Sequence, residues 1–186
     1  IKGGQKIARK VSYELEYNRD LNEAFGRFRP LDFTRKWSDT AGELQIEGKN
    51  LALRSGDLSL QIRGAGQQIL GMEADWAIAD DITDRGDAGS EVKRTELWEY
   101  FHGEVLTRLA PGGRAFCIGQ RVHQDDIYGF LAKEKDEDGT RVWHLERSAA
   151  VLDWTDHKVL WPEFQTWDVI RKARRRVGEA LFNCMY

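Results

Sequence analysis

The chain has 186 residues, 41% of them hydrophobic, and a formal net charge of −3. That is enough apolar material for one α/β domain with its own core. It excludes several classes: no apolar run reaches the roughly 18 residues of a membrane span, "IKGGQKIARK" lacks a signal-peptide core, and the charge balance announces no bulk nucleic-acid binder.

Residues 5–25 predict a helix, with Ile7, Val11, Leu15 and Phe25 roughly on one face and a stop at Gly26. Residues 27–40, broken by Pro30, read as loop. Leu44 and Ile46 then alternate toward Gly48-Lys49-Asn50, and Leu51 and Leu53 continue beyond it, a hairpin pattern. "LSLQIRGAGQQILGM" adds two short strand candidates around a turn at Gly64-Ala65-Gly66. Residues 75–79 form a continuous apolar strand of the kind buried on both faces of a parallel sheet.

After a loop over 81–90, Ser90 is a suitable N-cap for a helix over 91–109. Its stripe is Leu97, Trp98, Phe101, Val105 and Leu109. Pro111-Gly112-Gly113 is expected to end it. "RAFCIGQ" (114–120) reads as a short buried strand, 125–134 as a helix, and "TRVWHLE" (140–146) as another strand. Thr166 caps a helix over 167–177, and a shorter one follows. Alternation of strand and helix from residue 74 predicts a mainly parallel α/β sheet. Trp98, Phe101 and Trp143 are expected in its core. The chain opens in a helix without methionine, which suggests a piece of a longer protein.

Cys117 and Cys184 form no C-x-x-C pair and read as reduced, cytosolic thiols. The four histidines have no zinc-site spacing. His123 with Asp125 and Asp126 suggests either a metal or, as the favoured reading, an acid-capped helix start. "DWAIADDITD" (75–84) is the stretch with chemical content. Ligands of open parallel sheets bind at the C-terminal strand ends, and here two strand candidates end in polar residues. One ends at Asp80-Asp81, the other at Gly119-Gln120-Arg121. A carboxylate there could hold magnesium, and its neighbour could orient an attacking water. A solvated acidic turn is the plain alternative. No G-x-x-x-x-G-K-[ST] cradle is present, and "GAGQQILG" reads as a turn. "RKARRR" (171–176) suits either a DNA contact through Arg174 and Arg175 or a solvated helix face.

"RGAGQQILGMEADWAIADDITD", "ELWEYFHGEVLTRLAPGGRAFCIGQRVHQDDIYGFL", "LWPEF" and "ALFNCMY", in that order, resemble the large subunit of tailed-phage terminases, the DNA-packaging motors. The resemblance spans roughly residues 5–186. It implies a P-loop NTPase-like, mainly parallel sheet with flanking helices, without the first strand and P-loop. Residues 1–160 would be the later part of the ATPase domain, and 161–186 a helical linker toward a nuclease domain outside this chain. Asp80 would be the magnesium-associated acid, Asp81 the catalytic carboxylate, and Gln120 the residue of the coupling motif. Arg121, His123 and Asp126 match a motif continuation without a catalytic role. Asp81 stands where many relatives have Glu, Gln120 where Thr is common, and Val122 where Trp is usual. Arg63 could act across a subunit interface.

The implied cofactors are ATP and Mg2+. The implied partners are double-stranded DNA, the portal protein, the small terminase subunit and further copies of the chain, without a membrane, in the cytoplasm of a bacterial host. Without a P-loop the chain is expected to bind ATP poorly. The rival expectation is a non-enzymatic prophage remnant or interaction domain that keeps the fold. An unrelated helicase would need helicase motifs after Gln120, and none is found there.

Overall fold

The computed structural model describes residues 2–32, 36–47, 58–69 and 73–186. The chain is a mixed α/β protein that divides into two compact units, residues 1–74 and 75–186. The expected domain boundary at residue 160 falls inside the second. Among the described residues, no helix is long and apolar enough to cross a membrane.

In the first unit the single expected helix is two, α1 (Lys2–Tyr17) and α2 (Arg19–Phe25). Asn18 separates them. Its backbone is extended and its side chain accepts from the Leu21 N–H, so it caps α2. Gly26, at φ 86°, ends α2 as expected. Three two-residue strands follow: β1 (Trp37–Ser38), β2 (Glu43–Leu44) and β3 (Leu60–Gln61), in antiparallel order β1-β2-β3. β1 lies where loop alone was expected. Leu44 and Ala8 are fully buried. The turn expected at residues 48–50, and Leu51 and Leu53 beyond it, lie outside the described residues.

The second unit opens with β4 (Ala74–Asp80). A right-handed helical stretch leads to β5 (Leu109–Ile118), the neighbour of β4. The Asp81 N–H, just past β4, donates to the carbonyl of Ile118, the last residue of β5 (2.8 Å). Both strands therefore end side by side and run parallel, as a helical crossover requires. Helices cover one face. Ala79 and Cys117 pack there with Phe101, Ile127, Tyr128 and Leu131. The expectation of burial on both faces fails: Trp76 and Ile78 are 60% and 65% exposed. On that face the partly exposed Trp76 and Phe116 rings stack on one another with centroids 5.2 Å apart.

The crossover helix α3 (Glu91–Tyr100) starts at Ser90, whose hydroxyl accepts from the Lys93 N–H. It then widens into a π turn over Phe101–Val105 and tightens into a 3-10 turn over Leu106–Arg108. At the junction the Phe101 N–H is shared by the Leu97 and Trp98 carbonyls, and the Leu106 N–H reaches back to Phe101. Phe101 is fully buried; Trp98, expected in the core, lies at its rim, stacked on His102 at 4.3 Å. β5 already begins at Leu109, so Pro111-Gly112-Gly113 lies within the strand rather than before it.

α4 (Ile127–Lys133) matches the expected helix. The strand expected over 140–146 is absent. Asp136 closes a tight turn instead, its carboxylate accepting from the Thr140 N–H (2.8 Å). Trp143 folds back so that its Nε1–H donates to Glu134 (2.7 Å). The DEDGT run favours turn geometry over extension.

A hairpin of β6 (Val151–Asp153) and β7 (Lys158–Val159) was not anticipated. Asp153 organises it by accepting from the Thr155 and Asp156 N–H groups. α5 (Trp167–Val177) and α6 (Glu179–Met185) occur where the sequence predicts them. Val151, Val159, Ile170 and Phe182 form their shared core.

Candidate functional site

The two strand ends singled out in the sequence meet in the structure. Asp80 is the last residue of β4, and Asp81 follows at φ 50°, a left-handed backbone that a non-glycine residue adopts at some cost. Aspartate tolerates it better than most side chains. The Ile118 carbonyl receives both the Asp81 N–H and the Tyr128 hydroxyl (3.0 Å). Three elements, β4, β5 and α4, are thereby tied at one oxygen.

Gly119 makes this closeness possible. A β-carbon there would lie 1.9 Å from the Tyr128 oxygen and 3.2 Å from the Asp81 α-carbon. Gln120 follows. Its side-chain oxygen accepts from Arg85 (3.1 Å), and its amide nitrogen donates to the Met185 carbonyl (2.7 Å). The junction thus assembles Asp80, Asp81, Gly119, Gln120, Arg85 and Tyr128. Arg85 and Tyr128 were not singled out from sequence. The signal for Arg85 was its being the sole base in the acidic loop over 81–90.

The electrostatics follow from position. Burial, and then the neighbouring Cys117, Asp81, Asp126 and Asp80, push the Tyr128 phenol well above its usual range, so it stays a neutral donor. Burial and then Asp126 push the Cys117 thiol up to about 12. It is a packed side chain rather than a reactive thiolate. Asp80 and Asp81 are exposed, and no described residue gives either carboxylate a hydrogen bond or ion pair. Hard, water-accessible oxygens of this kind suit Mg2+, which keeps much of its water and needs only one or two protein carboxylates. Among the described residues no group of three or more potential ligands forms a dedicated metal cage.

The other candidates have different settings. Asp126 is fully buried and accepts from the Val122, His123 and Gly129 N–H groups, which makes it the N-cap of α4. Arg121 donates to the Gln124 carbonyl (2.7 Å). Arg63, in the first unit, is paired with Glu43 and also donates to the Ala41 carbonyl. Those contacts occupy it. Its bond to Glu43 is the main reason that carboxyl is held below its usual range. Arg174 is paired with Glu179 and lies 4.8 Å over the Trp154 ring, while Arg175 is exposed. A separate cleft of about 450 Å³ is lined by residues including Leu152, His157, Lys158 and Trp167. None of the site residues expected from sequence lines it.

No family model, curated protein or solved structure matches the chain.

Proposed function

We propose that the chain carries the carboxylate side of an ATP-hydrolysing motor site in a phage DNA-packaging protein of the terminase large-subunit type, on a P-loop NTPase-like sheet. One observation carries the reading. Two adjacent parallel strands end together, one running out into Asp80-Asp81 and the other, past Ile118, into Gly119-Gln120, joined through the Asp81 N–H and the Ile118 carbonyl. This is where open α/β sheets bind ligands. Asp80 would hold Mg2+, which supplies charge neutralisation at the transferring phosphoryl group. Asp81 would orient the attacking water and accept its proton, and Gln120 would report the state of the site. The implied setting is the bacterial host cytoplasm, with double-stranded DNA, a portal, a small terminase subunit and further copies as partners.

One feature favours a second, non-enzymatic reading. The Gln120 amide is engaged at both ends, by Arg85 and by Met185, as in a purely structural link.

Reading the parent gene over about 80 codons before Ile1, for a strand, G-x-x-x-x-G-K-[ST] and a helix, decides between them. With that loop present, the encoded protein should hydrolyse ATP, and Asp80→Asn or Asp81→Asn should each lower kcat by about a hundredfold or more. A start codon immediately upstream, or ATPase activity indifferent to both substitutions, would reject the motor reading.

A further inference from the structure

We propose that Arg85 is the anion clamp of this junction, contacting the terminal phosphate of a magnesium-bound di- or triphosphate. The inference rests on the magnesium–nucleotide reading of Asp80 and Asp81. It assigns to Arg85 the cationic role that the sequence offered to Arg63.

Arg85 stands in a loop with Asp84 and Asp87, following Asp80 and Asp81, yet no described carboxylate forms an ion pair with it. Its Nη2 instead donates to the neutral Gln120 oxygen at 3.1 Å. An amide fixes a guanidinium without cancelling its charge. Four of the five N–H donors stay available for the forked contact that phosphate oxygens favour. Gln120 is itself held by the Met185 carbonyl (2.7 Å), so the arm is anchored at its far end. Gly119, next to Gln120, brings this anchor against the Asp81 backbone.

The surrounding acids define the ligand further. The exposed Asp80 and Asp81 carboxylates at the same strand-end junction repel a bare phosphate. A divalent cation between carboxylate and phosphate removes the repulsion, so the clamp suits a metal–phosphate complex. Arg63 differs from Arg85 in having its charge paired with the Glu43 carboxylate.

Isothermal titration of the full chain with magnesium pyrophosphate tests this, with the fold of each variant checked by circular dichroism. The expected result is magnesium-dependent binding in the millimolar range, weakened about tenfold by Arg85→Ala and less by Arg85→Lys. Gln120→Ala, which frees the arm but keeps its charge, should weaken it by a smaller factor. Asp80→Asn should remove the magnesium dependence. Absence of binding to the wild-type chain overturns the clamp, while the motor reading beneath it stands or falls on the upstream gene sequence. Magnesium-dependent binding that Asp80→Asn weakens and Arg85→Ala leaves unchanged overturns the clamp alone. Loss of binding in Arg175→Ala but not in Arg85→Ala also overturns it, by placing the anion on α5.

Discussion

A β-carbon on Gly119 would lie 1.9 Å from the Tyr128 hydroxyl oxygen and 2.8 Å from its ring carbon Cζ. No side-chain rotation of an alanine relieves such an overlap, so Tyr128 or the strand end has to move. Gly119→Ala should destabilise the second unit by about 3 kcal/mol, at the upper end of overpacking costs. Tyr128→Phe removes the oxygen but leaves the ring. The cost of Gly119→Ala in that background should therefore fall without vanishing. Urea unfolding of the two single variants and the double variant measures the coupling. Additive effects would mean that the two residues do not meet.

Asp126 gives a second prediction about the same end of the sheet. Its fully buried carboxylate accepts three backbone N–H groups, and Arg121 Nε lies 3.6 Å away. Asp126→Ala leaves those donors unpaired and should cost about 3 kcal/mol, more than an ordinary exposed cap. Asp126→Asn keeps one accepting oxygen, which can still serve the Val122 and His123 N–H groups, and should cost less. Thermal melts of both variants rank them, and equal losses would contradict the cap geometry.

Alkaline stability has a defined sign. The Cys117 thiol ionises near 9.0 when unconstrained and near 12 in the fold. Between those limits the unfolded chain has lost the proton while the native chain keeps it. Unfolding then releases a proton, so stability falls as pH rises. Burial of Tyr128 acts the same way above its ordinary value of 10.0. The urea midpoint should decline steadily above pH 9, and Cys117→Val should flatten the decline over pH 9–10, before tyrosine contributes. An unchanged slope in that variant would show that burial of Cys117 does not set it.

Much of this was legible in the sequence where a single local rule dominates. Ser90 and Gly26 mark helix ends that the structure reproduces, and the helix expected over 167–177 forms with Thr166 at its N-cap position, though without a side-chain capping bond. The end of β4 at Asp80 was also readable, and that of β5 nearly so, at Ile118 just before Gly119-Gln120, because apolar runs stop there abruptly. Tertiary context decided the rest. Trp76 and Ile78 have the composition of a buried strand, but composition does not reveal that their side chains stand exposed. Trp143 and Val142 favour extension, yet the Asp136 turn and the Glu134 carboxylate draw them back toward α4. Arg85 and Tyr128 reach the junction only through contacts across 35 and 10 residues, which no local spacing encodes.

The Glu134 carboxylate offers the last prediction, because it ties the π turn to the segment after α4. It accepts from Trp143 Nε1 at 2.7 Å and faces His102 Nε2 at 3.3 Å, while His102 Nδ1 meets the Trp98 carbonyl at 3.1 Å. Glu134→Ala strips the indole of its acceptor and His102 of its partner at once. The expected loss is about 2 kcal/mol, dominated by the part-buried indole N–H left without its bond. Glu134→Gln retains one accepting oxygen and should recover about half. The fluorescence of Trp143, isolated by comparison with Trp143→Phe, should shift to the red in the alanine variant as water reaches the indole. A stability change without that shift would assign the loss to His102 and the π turn instead. A spectral shift without a stability change would mean that the 134–143 turn is held by its backbone and Asp136 alone.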